Sequence, residues 1–181
     1  MLNDKITFLP YTKRDGIPTF RNSEIKDMYL RAIREGWHDQ IFHDGSITNA
    51  DAFVQYITGT GVLFWGIYHE NDLMGFVWAN RIEKTHCYCH FGFFKKWWGR
   101  DSILTRTGKQ FMDMLLIQKY PKETMFDLVL GMYPSTNTHV TAFMKRLGAR
   151  QFVEIPNLIY DNVNDKSIDG TIVVTTREDL K

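Results

Sequence analysis

Apolar residues recur along this chain with two periods, one near 3.6 and one near 2, and the switches between them mark out the elements. Ile25, Met28, Tyr29, Ala32 and Ile33 fall at i, i+3, i+4, i+7 and i+8, a single helical face. The spacing predicts a helix from about Ser23, a good N-cap, to Gly36, a good stop. Ahead of it, Ile6–Tyr11 reads as a short strand running into the turn residues Asp15, Gly16 and Pro18. A shorter helix over Asn49–Ile57 turns Phe53, Tyr56 and Ile57 inward. Three strand-like runs follow: Val62–His69, Leu73–Arg81 and Thr85–Phe94. Only Glu70-Asn71-Asp72 and Glu83-Lys84 separate them, and connectors this short and polar favour an antiparallel meander.

The second half alternates helix and strand. A helix from about Asp101 to Gln118 puts Leu104, Phe111, Met112 and Leu115 on one side. Phe126–Met132 is a continuous apolar strand. The helix Thr138–Leu147 carries Val140, Phe143, Met144 and Leu147 as its stripe and meets its stop at Gly148. Phe152–Tyr160 and Ile172–Thr176 form a closing pair of strands. The predicted order is βααβββαβαββ, an α/β chain with antiparallel strands at its centre and one strand–helix–strand crossover.

Composition narrows the function classes. A chain of 181 residues suits one domain and is large enough to bury a core without staples. Its balance of 44% hydrophobic and 24% charged residues is that of a soluble globular protein. A net charge of +1 argues against a dedicated nucleic-acid binder, which shows a strongly basic face. No apolar run approaches the ~20 residues that span a membrane. The opening Met1-Leu-Asn-Asp-Lys has no basic region followed by an apolar stretch, so no signal peptide is expected. Two cysteines make no disulfide framework, and the expected compartment is the cytoplasm.

Two segments carry candidate chemistry. Lys95-Lys96-Trp97-Trp98-Gly99-Arg100-Asp101-Ser102 is a basic, glycine-containing turn that opens a helix. Backbone N–H groups gathered at a helix N-terminus favour an anion, and Lys95, Lys96 and Arg100 would add charge-assisted bonds. Asn137-Thr-His-Val-Thr-Ala-Phe-Met-Lys-Arg-Leu-Gly148 is a polar turn, a short amphipathic helix and a glycine stop. Together these segments resemble the GNAT superfamily of acyl-CoA-dependent N-acetyltransferases, and the element order is similar over nearly the whole chain. The resemblance implies a mixed, mostly antiparallel twisted sheet of about six or seven strands flanked by about four helices.

In that family a Q/R-x-x-G-x-G/A loop holds the CoA pyrophosphate on its backbone amides. Lys96 lies at the basic position and Gly99 at the first glycine, while Asp101 departs from the pattern by replacing the second small residue. The resemblance therefore implies acetyl-CoA contacts from Phe93, Phe94, Lys95, Lys96, Trp98, Gly99, Arg100, Asp101 and Ser102. The bland alternative is an ordinary turn with Asp101 as helix cap. Trp98-Gly99 is similar to the branch that acetylates protein N-termini and small amines. There an Asn opens the last helix eleven positions before Leu-Gly, a spacing that Asn137 and Gly148 keep, and its side chain bonds the pantetheine or a neighbouring backbone. The alternative is that Asn137 is only a turn residue of a structural helix. Many members place a proton-donating Tyr late in this helix; here the residue is Met144, which cannot donate.

His86-Cys87-Tyr88-Cys89-His90 suggests a metal until strand geometry is applied. The two cysteines share one face and the histidines the other, with His86 and His90 roughly 13 Å apart. No metal is expected, and the cysteines read as small buried residues. His90 suits a general base, because acetyl transfer needs a neutral amine and imidazole accepts protons near neutral pH. The family places its base along this strand, often as Glu, and this strand has none. A histidine satisfied by a neighbour is the alternative. Gly92 could mark the family's bulge. Tyr133, four residues before Asn137, is a candidate acid or an aromatic plug at a strand end. Trp37, His38 and His43 lie where the family lines its acceptor pocket; a solvated loop explains them equally well.

The leading expectation is an acetyl-CoA-dependent N-acetyltransferase acting on an amine of a small molecule, peptide or protein, as a monomer or homodimer. Its partners would be acetyl-CoA and the acceptor, with no nucleic acid or membrane. The alternative is a catalytically weak GNAT-like binding or structural protein, possibly phage-derived, which Asp101, Met144 and the missing strand Glu all fit. A third reading is an unrelated α/β fold with a chance Asn…Leu-Gly match.

Overall fold

The computed structural model describes residues 5–117 and 125–180. The elements run β1 (Ile6–Pro10), β2 (Lys13–Arg14), β3 (Ile17–Pro18), α1 (Asn22–Arg34), α2 (His38–Ile41), α3 (Ala50–Thr58), β4 (Leu63–His69), β5 (Asp72–Asn80) and β6 (His86–Phe93). They continue with α4 (Asp101–Leu116), β7 (Leu128–Pro134), α5 (Thr138–Leu147), β8 (Gln151–Asp161) and β9 (Lys166–Thr176). Seven strands form one sheet in the order β1-β4-β5-β6-β7-β9-β8, mostly antiparallel, with β6 and β7 parallel. By internal contacts the chain divides into two compact units, and β6 runs from one into the other.

The first unit holds residues up to Asn80 together with His90–Gly99. Its core is aromatic: Phe53, Phe64, Phe76 and Phe94 are almost wholly buried. Their rings meet at centroid separations of 5.6–6.3 Å, the range of favourable edge and offset contacts. Helix α1 buries Ile25, Met28, Tyr29 and Ala32 as its stripe predicts, but Ile33 is 46% exposed, at the margin of that stripe. Its N-cap is Arg21, not Ser23. Glu24 reaches back to accept from the Arg21 backbone N–H at 2.7 Å, and that bond sets the helix start two residues early. Gly36, at φ +69°, ends the helix in the left-handed region as expected.

Two elements escape the periodicity argument. β2 and β3 form a two-residue ribbon, too short for any period, tied by the Thr12 and Thr19 hydroxyls at 2.8 Å. α2 is a single helical turn, too short to show a stripe. Helix α3 is capped by Asn49, whose side chain accepts from the Ala52 N–H at 2.9 Å. Tyr56 is only half-buried there, and Val54 joins Phe53 and Ile57 in the core. β4 and β5 pair antiparallel as predicted, with a register shift between Ile67 and Tyr68.

The second unit holds Arg81–Cys89 and the chain from Arg100 onward. Helix α4 buries Leu104, Phe111, Met112 and Leu115 as expected; the predicted end at Gln118 lies outside the described residues. Gly108 lets it approach α5, since a Cβ there would stand 2.6 Å from Leu147 Cδ2. β7 starts two residues later than predicted, with Phe126 buried ahead of it. Strand β9 begins at Lys166 rather than Ile172, because polar Ser167, Asp169 and Thr171 hide its first half from an apolar pattern. Against it, β8 shifts register between Ile155 and Ile159, where Asn157 at φ +55° donates its N–H to Asp169 Oδ1 at 3.1 Å. Gly148 closes α5 at φ +104°.

Candidate functional site

The segment after β6 folds as a one-turn 3-10 helix, Lys95–Trp97, followed by Trp98 and Gly99 and the start of α4. Phe94 N–H donates to the Met74 carbonyl at 2.9 Å, and the Phe94 ring is fully buried under the Arg31 guanidinium, 3.8 Å from its centroid. Phe94 thus offers a ligand only its backbone. The half-buried Phe93 ring stacks on Phe91 at 5.8 Å, and its carbonyl accepts from Trp98 Nε1 at 2.8 Å. That bond holds the exposed Trp98 ring, over which the Lys95 ammonium lies at 5.5 Å. The Lys96 ammonium pairs with Asp72, so the basic residue of the family pattern already has a carboxylate partner.

Gly99 sits at φ +76°, with open space where a Cβ would project. Arg100 is the N-cap of α4 and no side chain caps the helix. This corrects the expectation that Asp101 is the cap: Asp101 is the first helical residue, and its carboxylate meets Arg146 of α5 at 3.3 Å. Ser102 is exposed in the same turn. A sixteen-residue helix therefore presents its first N–H groups without a side-chain cap, the arrangement that favours a bound anion.

Sequence reasoning missed the residue that anchors this loop. Glu35, the C-cap of α1, accepts from the Lys95 backbone N–H at 2.6 Å and from Trp37 Nε1 at 3.0 Å, both on Oε2, while its Oε1 takes Arg31 Nε at 2.8 Å. Burial pushes its carboxyl up, but the bonds from Lys95, Arg31 and Trp37 outweigh burial and hold it below its ordinary value. The available signal was a carboxylate at a helix C-terminus, where the macrodipole disfavours it.

On β6, His90 is half-buried and stacks on Trp78 at 4.8 Å with the planes 10° apart. Its Nε2 lies 3.2 Å from Asn80 Oδ1, and Asn80 Nδ2 donates to the Tyr56 hydroxyl at 2.6 Å. Gly92 serves packing, since a Cβ there would stand 2.9 Å from the Trp37 ring. Cys87 and Cys89 are buried on one face and form no disulfide, and burial pushes the Cys87 thiol up to about 12. Among the described residues, no three His, Cys, Asp or Glu side chains gather to hold a metal ion.

Asn137 caps α5, its Oδ1 accepting from the Val140 N–H at 3.3 Å, so the structural role is realised and the amide NH2 lies outside that bond. Tyr133, 6% exposed at the end of β7, bonds the Thr141 hydroxyl at 3.1 Å. Burial raises its phenol pKa, against a smaller lowering by Thr141. Met144 is buried in the same helix.

The acceptor guesses fare unequally. Trp37 is 3% exposed and packs against Phe76 and Phe94, which makes it core. The polar Trp-His-Asp context hid the apolar destination of its ring. His38 bridges the Tyr29 hydroxyl at 2.8 Å and Asp39 at 2.9 Å. His43 Nδ1 is buried without a hydrogen-bond partner among the described residues.

Seven strands in this order, with one parallel pair and helices α4 and α5 following its two strands, define the GNAT fold. Solved structures agree. The chain is similar to RimL, a ribosomal L7/L12 alpha-N-protein acetyltransferase solved with coenzyme A, at TM-score 0.74 and 12% identity over 100% of this chain and 98% of that one. A ribosomal-protein-S5-alanine acetyltransferase from Vibrio fischeri superposes at TM-score 0.67 and 12% identity, covering 90% and 92%. The microcin C7 self-immunity acetyltransferase MccE, in complex with acetyl-CoA and AMP, gives 0.66 and 16%, covering 96% and 93%. No protein-family model and no curated protein matches the sequence.

Proposed function

We propose that this chain is an acetyl-CoA-dependent N-acetyltransferase whose acceptor is an amine of a small molecule, peptide or protein. The observation that carries the reading is the uncapped N-terminus of α4, entered through Gly99 at φ +76° from a basic turn. The backbone N–H groups of Gly99 to Ser102 hold the CoA pyrophosphate, with Arg100 and Lys95 adding positive charge. The amide NH2 of Asn137 serves the pantetheine arm. The neighbours named as acting on ribosomal proteins favour a peptide N-terminal amine as acceptor. Half-buried His38 and His43 line the acceptor side. Two buried cysteines outside any disulfide suit a reducing compartment such as the cytoplasm.

In the reaction the acceptor nitrogen attacks the thioester carbonyl carbon and the C–S bond breaks. His90 takes the proton that the amine loses. Tyr133, kept protonated by its burial, gives a proton to the departing thiolate, and the products are an acetamide and CoA thiol. Positioning of the two substrates supplies much of the rate.

The test is isothermal titration of the protein with acetyl-CoA, with Gly99→Glu as control. Micromolar binding lost in Gly99→Glu supports the reading and justifies an acceptor screen with His90→Ala. No binding near millimolar ligand overturns it and leaves a GNAT-shaped scaffold, the reading that buried Met144 in place of a Tyr would then favour.

A further inference from the structure

We infer that Glu35 is a positioning residue of the cofactor loop: from the end of α1 it caps the 3-10 turn after β6 and so sets how tightly the chain holds acetyl-CoA. The inference rests on the transferase reading for its ligand. The contacts it uses, from Arg31 to Gly99, all lie within the first unit.

A helical turn begins with N–H groups that have no partner inside it. The turn Lys95–Trp97 starts after Phe94, whose side chain offers no acceptor, and Lys95 contributes the first such N–H. Glu35 supplies the acceptor from sixty residues away, its Oε2 taking the Lys95 N–H at 2.6 Å. The direction of this bond is fixed, because a backbone N–H only donates and an ionised carboxylate only accepts. The same holds for the Trp37 indole N–H, which reaches the same oxygen at 3.0 Å. Arg31 Nε donates to Oε1 at 2.8 Å, so both oxygens are engaged and the carboxylate is held against turning. The Arg31 guanidinium also lies 3.8 Å from the centroid of the Phe94 ring, which secures the residue just before the turn.

From Lys95 the constraint runs to Gly99. The Lys95 carbonyl accepts the Trp98 N–H at 3.0 Å and closes the turn. The Trp98 indole returns to the Phe93 carbonyl at 2.8 Å. Gly99 follows at φ +76°, where the chain swings into the N–H groups assigned to the pyrophosphate. With Glu35 in place this path is set before a ligand arrives. Without it the Lys95 N–H turns to water and the loop samples several arrangements. A ligand that needs one of them then binds more weakly, by the inverse of that arrangement's share. A hydrogen bond to a charged acceptor biases such an equilibrium roughly tenfold or more. Arg31 offsets the charge of Glu35, so an anion at the loop meets an ion pair rather than a bare carboxylate. Glu35 thus acts through the Lys95 backbone and touches no reacting atom.

The experiment is calorimetric titration of the full chain with acetyl-CoA, alongside the Lys95 amide signal in 15N–1H spectra. Phe94-Lys95 is the only Phe-Lys pair in the sequence, so labelling Phe with 13C at the carbonyl and Lys with 15N assigns that signal. Glu35→Ala should weaken acetyl-CoA binding roughly tenfold or more and move the Lys95 amide proton upfield. Glu35→Gln, whose amide oxygen can still accept, should bind within about threefold of wild type. In acetyl transfer the alanine variant should raise KM for acetyl-CoA and leave kcat within about twofold, the pattern of lost ground-state binding. Phe53→Leu controls for stability alone: Phe53 is fully buried in the same unit, with its ring against Tyr29, Phe42, Phe64 and Phe76, and its Kd should stay within about twofold. A rise of less than about threefold in Glu35→Ala overturns the inference, as does an equal rise in Phe53→Leu. An unmoved Lys95 amide proton overturns it too, and that spectrum needs no ligand. Failure of the wild type to bind acetyl-CoA sinks the transferase reading instead.

Discussion

Replacing Glu35 tests whether the α1 end and the loop after β6 are joined through a single carboxylate. Its Oε2 takes the Lys95 N–H and the Trp37 indole N–H, and its Oε1 takes Arg31. Trp37 is 3% exposed, so Glu35→Ala strands a buried donor, which costs about 2 kcal/mol. The exposed Lys95 N–H can turn to water, and that loss is about 1 kcal/mol. The Arg31 pair, spaced i,i+4 with side chains 30% and 18% exposed, adds only ~0.3 kcal/mol. The sum is roughly 3 kcal/mol, or a fall in Tm of about 6–12 °C for a chain of this size. Glu35→Gln can keep both Oε2 bonds with its own oxygen and loses only Arg31 and the charge, so about 1 kcal/mol is expected.

The assay is urea unfolding with thermal melts of all three proteins. The carboxyl is held below its ordinary value of 4.5 in the fold. A depressed acid contributes stability that is complete above the unfolded value and lost as pH falls through the folded one. Wild type should therefore lose stability below about pH 4.5 more steeply than Glu35→Gln, whose amide does not titrate. An alanine variant within 1 kcal/mol of wild type, or a glutamine variant as damaged as the alanine one, refutes the anchoring argument.

Four further outcomes follow from the same geometry. Tyr133→Phe should lower kcat about 100-fold at unchanged acetyl-CoA KM, measured by CoA thiol release; because burial raises its phenol pKa, no loss of activity from Tyr133 ionisation should appear below about pH 10. Asp101→Ala should tighten acetyl-CoA binding and Arg146→Ala weaken it in titration calorimetry, while neither exposed partner should move stability by more than about 0.5 kcal/mol. Gly92→Ala brings a Cβ within 2.9 Å of the clamped Trp37 ring and should cost roughly 1–3 kcal/mol in urea unfolding. Cys87, with its thiol pushed up to about 12 by burial, should resist a thiol reagent at pH 8 until the chain is unfolded.

The sequence made the long periodic elements legible because burial there is one-sided. The α1 stripe, the α4 stripe and the Thr138–Leu147 helix with its glycine stop are where the apolar spacing places them. What it hid follows from local causes. A two-residue ribbon and a four-residue helix are shorter than a period, and the first half of β9 pairs its backbone while exposing polar side chains. The site was legible as a segment rather than as a geometry. Lys95–Ser102 forms a basic glycine turn before a helix, but its anchor lies sixty residues away in Glu35, and separation in sequence carries no periodic mark. Trp37 was misplaced for a related reason: polar neighbours describe the turn and not the destination of the ring. His90 was visible as a residue type, while its partner Asn80 and the Tyr56 that Asn80 meets lie on other elements.

Asp101 shows how a departure from a family pattern can be absorbed rather than disqualifying. A carboxylate in the first turn favours the helix itself, since it faces the positive end of the macrodipole. It opposes an anion at the same place. In this chain that charge is already engaged by Arg146 one helix away, and the helix remains without a side-chain cap. The N-cap side chain makes no cap bond, and the charge that Asp101 adds at this end of the helix is offset. The pair is exposed and screened, so the offset weakens at high salt. Asp101→Ala removes a negative charge beside the loop and deprives Arg146 of its carboxylate, so acetyl-CoA binding by that variant should be tighter at low salt and should fall more steeply with salt than binding by wild type.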